Sequence, residues 1–227
     1  MATRGRPATN RGTGLSDIDR DIFQILQKAE KDSLAWNLDE VDHGDGVRRL
    51  LFLNAHGVNM AARSPEFRAA LLDADHLLRD GVGLEIGFKM LGLGETSNLN
   101  GTDLIPKVLD RLKHRKIAVW GSSEEALEKL QRRLCSEGFS DLAPMHHGFH
   151  DDAFYVQAFE ETRPKVVVLC MGMPRQEILS DKLTARDRNC LIICGGGWAN
   201  FYSGHIRRPP LLLQKLKLEW LHRLALE

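Results

Sequence analysis

Residues 117–138, IAVWGSSEEALEKLQRRLCSEG, decide the fold. Ile117, Ala118, Val119 and Trp120 form a short apolar run that stops at Gly121, the pattern of a buried strand. A helical period follows, with Leu127, Leu130 and Leu134 on one face. Ser122 with Glu125 spells a capping box, and Gly138 closes the segment. A strand thus runs straight into a helix N-terminus.

The same alternation extends on both sides. Residues 50–53, 166–171 and 191–194 are further apolar runs that end at polar residues or glycine, and each predicts a strand. Helical spacing appears at 17–30, at 102–114 with Thr102 as N-cap and Pro106 inside, and at 174–187 with Pro174 in the first helical position. Strands alternating with helices predict an α/β fold: a doubly wound, mostly parallel, Rossmann-like sheet with helices on both faces. Ligands of such sheets collect outside the carboxyl ends of the strands, which selects the loops beginning at Asn54, Gly121, Gly172 and Gly195. Residues 1–14, rich in Gly, Pro and Thr and carrying Arg4, Arg6 and Arg11, read as a disordered basic tail ahead of a single domain over 15–227.

Composition narrows the function. Apolar residues are 43% and charged residues 27% of 227, enough for a sizeable core. Lys and Arg balance Asp and Glu at 31 each, so the basic footprint of a nucleic-acid binder is missing. No apolar region follows the basic start, which excludes a secretory signal, and no run approaches the roughly 18 apolar residues of a spanning helix. These features place the protein in the cytoplasm. Cys135, Cys170, Cys190 and Cys194 form no C-x-x-C, and three lie in apolar runs, so they read as reduced, inert thiols.

Several motifs have both a chemical and a plain structural reading. The turn from Gly121 into the following helix suits a phosphate, because free N–H groups and the positive dipole end meet there. It is equally a simple cap, and without G-x-G-x-x-G it is no dinucleotide fingerprint. Asp80 sits between an apolar segment (Leu77, Leu78) and two glycines, Gly81 and Gly83, which let a ligand approach or merely shape a turn. Asp73-Ala74-Asp75 spells the D-x-D of metal-dependent sugar transferases, although any acidic helix end produces it. The 172–177 block, GMPRQE, offers amide and carboxylate groups at a helix start, as would a well-capped surface helix. His146, His147 and His150 could be offered as a metal site, but neighbours on an extended chain point to opposite faces. Over 205–224, basic residues including Lys215, Lys217 and Arg223 interleave with leucines and Trp220. That is a membrane-surface or partner helix, or a core helix with snorkelling cations.

In this order, the 53–61 segment LNAHGVNMA, Asp80-Gly81-Val82-Gly83, Gly101-Thr102-Asp103-Leu104, the 172–177 block and residues 204–224 resemble the WecG/TagA/CpsF family of bacterial glycosyltransferases. The likeness covers roughly residues 45–226. It implies an inverting, metal-independent enzyme without a cofactor, working at the inner face of the plasma membrane. Its donor would be a UDP-sugar (N-acetylmannosamine, its uronic acid, or glucose), and its acceptor a sugar on undecaprenyl diphosphate, in surface polysaccharide synthesis. The resemblance makes Asp80 the general base, Asn54 and Gln176 pocket-lining positions, and Arg208 and Arg223 basic contacts. Gly81, Thr102, Asp103, Gly121, Gly172 and Glu177 join them as candidate substrate contacts. Phe52 stands where the family often has Thr, Asn98 where Arg is expected, and Asn200 where Asp is usual. Those departures keep open a non-catalytic sugar-nucleotide-binding or scaffold protein on the same fold. Family members continue past the point matching Glu227 into a basic appendage, so the chain is expected to lack it, and a second protomer is a possible partner for the exposed C-terminal helix.

Overall fold

A computed structural model describes residues 16–41, 48–94, 99–185 and 189–207. The elements run α1 (Asp17–Ala35), a short 3-10 turn (Leu38–Val41), β1 (Arg48–Leu53), α2 (Ala55–Arg63), α3 (Pro65–Leu72), β2 (His76–Arg79), α4 (Val82–Met90) and α5 (Gly101–Arg111). They continue with β3 (Ile117–Gly121), α6 (Glu124–Ser136), α7 (Asp152–Thr162), β4 (Val166–Cys170), α8 (Arg175–Thr184), β5 (Leu191–Cys194) and α9 (Trp198–Tyr202). The five strands form one sheet in the order β2-β1-β5-β4-β3, and every pairing is parallel. The expected doubly wound α/β fold is found.

Both faces of the sheet are covered, which is why its strands are continuous apolar runs. Leu50, Phe52, Val119, Val168 and Ile193 pack on one face with residues of α5, α6 and α9. Leu51, Leu53 and Leu77 pack on the other with α1 to α4, and beside them Trp120, Val167, Leu169 and Ile192 meet α7 and α8. The outer edge of β2 is closed by side chains of α1: Asp32 accepts from the Leu77 N–H at 2.9 Å and Ser33 from the Arg79 N–H at 2.8 Å. These two bonds stand in for a neighbouring strand and blunt an edge that would otherwise pair with another chain.

Four strands appear where the apolar runs predict them; β2 does not follow from sequence. It has only four residues, and its last, Arg79, is a buried cation. Helix starts shift by a residue or two. Ser123, not Ser122, caps α6, its Oγ accepting from the Ala126 N–H, because Ser122 is held in a left-handed conformation at φ 64°. Asn100, not Thr102, caps α5, and Pro174 is the N-cap of α8 rather than its first residue. The first helix runs on to Ala35. The basic tail at 1–14, Asn98 and the stretch 208–227 lie outside the described residues.

The D-x-D pair has a structural occupation. Arg49, buried near the start of β1, donates to Asp73 at 2.6 Å and to Asp181 at 3.0 Å, and its N–H is received by Asp75 at 2.8 Å. Both acids therefore sit at the amino end of the sheet, opposite the edge where ligands collect.

Candidate active site

Asp80 follows β2 directly, and its N–H donates to the Leu53 carbonyl at 2.8 Å. That bond extends the β1–β2 ladder by one step and fixes the backbone of Asp80 at the carboxyl edge. Gly81, at φ 83°, then turns the chain into α4. Beneath the turn lies buried Arg79, its guanidinium 3.4 Å from the Gly81 carbonyl oxygen and 3.6 Å from Glu85. An arginine between the apolar pair Leu77-Leu78 and Asp80 was the available sequence signal for this support.

Neighbouring loops converge on the same edge. Asn54 caps α2, its Oδ1 accepting from the Gly57 N–H at 2.9 Å, so the side-chain amide nitrogen is the group it can offer elsewhere. A Cβ on Gly83 would lie 3.1 Å from that of Ala55, which sets the start of α4 against the start of α2. A Cβ on Gly57 would lie 3.3 Å from the Met173 sulfur, so the loop after β4 borders α2 as well. Gly101, at the start of α5, meets the ring of Phe52, where a Cβ would approach to 3.2 Å. Phe52 is thus core, packed under the α5 start. Asp103 belongs to a reciprocal cap: its N–H donates to Asn100, and its carboxylate accepts from the Asn100 amide at 2.8 Å.

The loop after β3 is built differently from the phosphate-binding turn that sequence suggested. The Gly121 N–H donates to the His146 carbonyl at 2.8 Å and the Ser122 N–H to that of Cys170 at 2.9 Å. The Ser122 hydroxyl donates to Asn200 Oδ1 at 2.5 Å. Those N–H groups are occupied, and Glu124 and Glu125 fill the first turn of α6, which disfavours an anion there. Among the described residues, the helix starts without a side-chain cap are those of α4, α8 and α9. At α8 the Gln176 N–H already donates to the Gly172 carbonyl at 3.2 Å, and at α9 those of Trp198 and Asn200 donate to Gly195 and Gly197. What α8 offers a ligand is therefore its positive dipole end and its remaining first-turn N–H groups.

Gln176 and Glu177 are buried and form a link rather than an open surface. The Gly196 N–H donates to Gln176 Oε1 at 3.0 Å, and Gln176 Nε2 donates to Glu177 Oε1 at 2.8 Å. This ties α8 to the glycine loop after β5. Glu177 Oε2 has no hydrogen-bond partner, and burial pushes the Glu177 carboxyl up to about 7. Its folded value lies above the ordinary one, so its protonated form is favoured by folding. The stability this group contributes is present at low pH and lost as pH rises from about 4.5 to about 7. Glu177→Gln is therefore expected to gain on wild type as pH rises, by about 3 kcal/mol at pH 8 and by little at pH 4.5. Urea unfolding at the two pH values checks this; a gap that does not change with pH contradicts it.

His147 stacks on His150 with centroids 4.2 Å apart, and His150 stacks on Phe154 at 3.8 Å. His146 is shifted downward by burial first and then by its two histidine neighbours. These rings form a ladder, and Arg175 fastens it to α8 by donating to the carbonyls of Gly148 and His150. Among the described residues no group of three or more His, Cys, Asp or Glu is arranged to hold a metal ion. None of the four cysteines is in a disulfide; Cys170, Cys190 and Cys194 are buried, and burial pushes the Cys170 thiol up to about 12. Arg208 and Arg223 lie outside the described residues.

The backbone of Asp80, the starts of α2, α4 and α8 and the glycine loop after β5 thus share the carboxyl edge of a parallel sheet, where ligands of such sheets collect. The family model of the glycosyl transferase WecG/TagA/CpsF family matches residues 22–227, and the chain belongs to that family. It is also similar to an N-acetylglucosaminyldiphosphoundecaprenol N-acetyl-beta-D-mannosaminyltransferase of Bacillus spizizenii, 27% identical over 171 residues. That match takes in 72% of this chain and 65% of the relative, just under two thirds of the relative's length.

Proposed function

We propose that the protein is an inverting, metal-independent glycosyltransferase. In this reading it moves a sugar of the N-acetylmannosamine, mannosaminuronate or glucose type from a UDP-sugar to a sugar carried on undecaprenyl diphosphate. The observation that carries the reading is Asp80, fixed by its backbone at the carboxyl edge of the sheet in a member of this family. The relative's name favours N-acetylmannosamine as the sugar transferred. Asp80 takes the proton of the acceptor hydroxyl as that oxygen bonds to the anomeric carbon. The bond from that carbon to the diphosphate breaks on the opposite side, and UDP leaves with the electron pair. Its charge is met by N–H donors at the uncapped start of α8 and by arginines, with Arg208 and Arg223 assigned through the family pattern.

Asn54, Gly81, Thr102, Asp103 and Gly172 border the substrates, while Gln176 and Glu177 hold the loop after β5. Among the described residues no helix is long and apolar enough to cross a membrane. With a lipid-linked acceptor, the protein works peripherally at the inner face of the plasma membrane. Of the departures from the family pattern, Phe52 packs against Gly101 and Asn200 accepts from the Ser122 hydroxyl. A non-catalytic sugar-nucleotide-binding protein on the same fold is the alternative that absence of transfer would leave.

The test is sugar transfer followed by NMR of the product's anomeric configuration, with and without EDTA. Inverted product and undiminished activity in EDTA are expected. Retained configuration, or loss on chelation with recovery in Mg²⁺ or Mn²⁺, contradicts the mechanism.

A further inference from the structure

Helix α4 begins at Val82, two residues after Asp80, and carries two features on one element. Its start has no side-chain cap. Along its length Val82 (half-buried), Ile86 and Met90 recur every four residues, while Leu91, the C-cap, lies off that row. Ile86 is 55% exposed, Met90 82% and Leu91 52%, while Leu84 and Phe88 on the opposite side are buried in the core. Gly83 and Gly87 add no side chains beside this row, and the charges nearby are engaged, Glu85 lying 3.6 Å from both Lys89 and Arg79. The neighbouring helix α2 exposes Ala55, His56, Asn59, Ala62 and Arg63, with no large apolar side chain among them. The apolar path away from Asp80 is therefore α4.

We propose that the exposed stripe of α4 is the track for the polyprenyl tail of the acceptor, with the uncapped α4 start beside the acceptor's diphosphate. This rests on the transferase reading, and it adds where the lipid lies. A diphosphate suits a helix N-terminus, and an isoprenoid chain suits an apolar row leading away from it. The stripe is about 12 Å long and roughly one side chain wide. That is far short of the about 800 Å² per partner that a stable interface between two copies needs.

The test is direct binding, read without turnover. Wild type and the double variant Ile86→Ser/Met90→Ser are titrated with a long-chain polyprenyl diphosphate and with a two-isoprene analogue in the same detergent. Wild type is expected to prefer the long chain by roughly tenfold or more, and the double variant to lose that preference while binding the short analogue equally well. A preference that persists in the variant, or is absent from wild type, overturns the proposal. So does light scattering that shows a wild-type dimer dissolved by the substitutions, which gives the stripe to a second copy. Loss of liposome binding with an unchanged chain-length preference gives it to the membrane surface instead, and equally overturns it. Failure of the transferase reading shows separately, as absence of sugar transfer by wild type.

Discussion

Asp80→Asn is expected to leave the fold and UDP binding intact and to lower kcat by about 10²–10⁴-fold, the usual worth of a positioned general base. The backbone carries the positioning: the N–H of residue 80 bonds to the Leu53 carbonyl whichever side chain is present, and Gly81 supplies the turn. Asn has nearly the same shape but takes up no proton from the acceptor hydroxyl. The loss should therefore fall on kcat rather than on the donor KM. Initial rates at saturating donor and acceptor, beside an unfolding curve of the variant, make the measurement. Near-normal kcat in a folded variant removes Asp80 from the mechanism.

Gly121→Ala is expected to be the most damaging small substitution at the carboxyl edge. Gly121 is the last residue of β3, paired with Cys170 of β4, at φ 118°. A Cβ there would lie 2.3 Å from the carbonyl carbon and oxygen of Cys170, and both are backbone atoms of a central strand. No rotamer relieves such a contact, so β3 and β4 must part at the edge, and the Ser122 bond to the Cys170 carbonyl goes with them. A loss of about 4 kcal/mol or more follows, a large share of the about 5–15 kcal/mol that holds a domain folded. Gly138→Ala is the control. Gly138 has φ 90° but nothing within 4 Å of its would-be Cβ, so it should cost only about 1 kcal/mol. Urea titrations of both variants decide the point; equal losses contradict the crowding argument.

The fold was legible because the sheet is buried on both faces. Ile117 to Trp120, Val166 to Cys170 and Leu191 to Cys194 had to be apolar at every position, and such runs between helical periods have few other readings. β2 was hidden by its brevity and by Arg79, whose burial depends on partners brought from α4 and α1. Helix caps were misplaced for a related reason. Ser122 and Thr102 have suitable side chains, but Ser122 is drawn across the sheet to Asn200 and Asn100 already caps α5. Position within the site was partly legible. Asp80, Asn54 and Gly172 do lie at the carboxyl edge. That the Gly121 loop spends its N–H groups on its own backbone neighbours, and that Gln176 and Glu177 are buried as a link, are tertiary facts with no local signature.

The central claim is sugar transfer to a lipid-linked acceptor, and acceptor-dependent release of UDP tests it most directly. Purified protein is given UDP-N-acetylmannosamine, the corresponding uronic acid and UDP-glucose in turn, with and without an N-acetylglucosaminyl diphosphate on a short polyprenyl chain. The account predicts that one donor releases UDP only when the acceptor is present, and that Asp80→Asn removes nearly all of that release. Binding of UDP-sugars with no acceptor-dependent release from any donor would contradict it and leave a sugar-nucleotide-binding protein on the same fold.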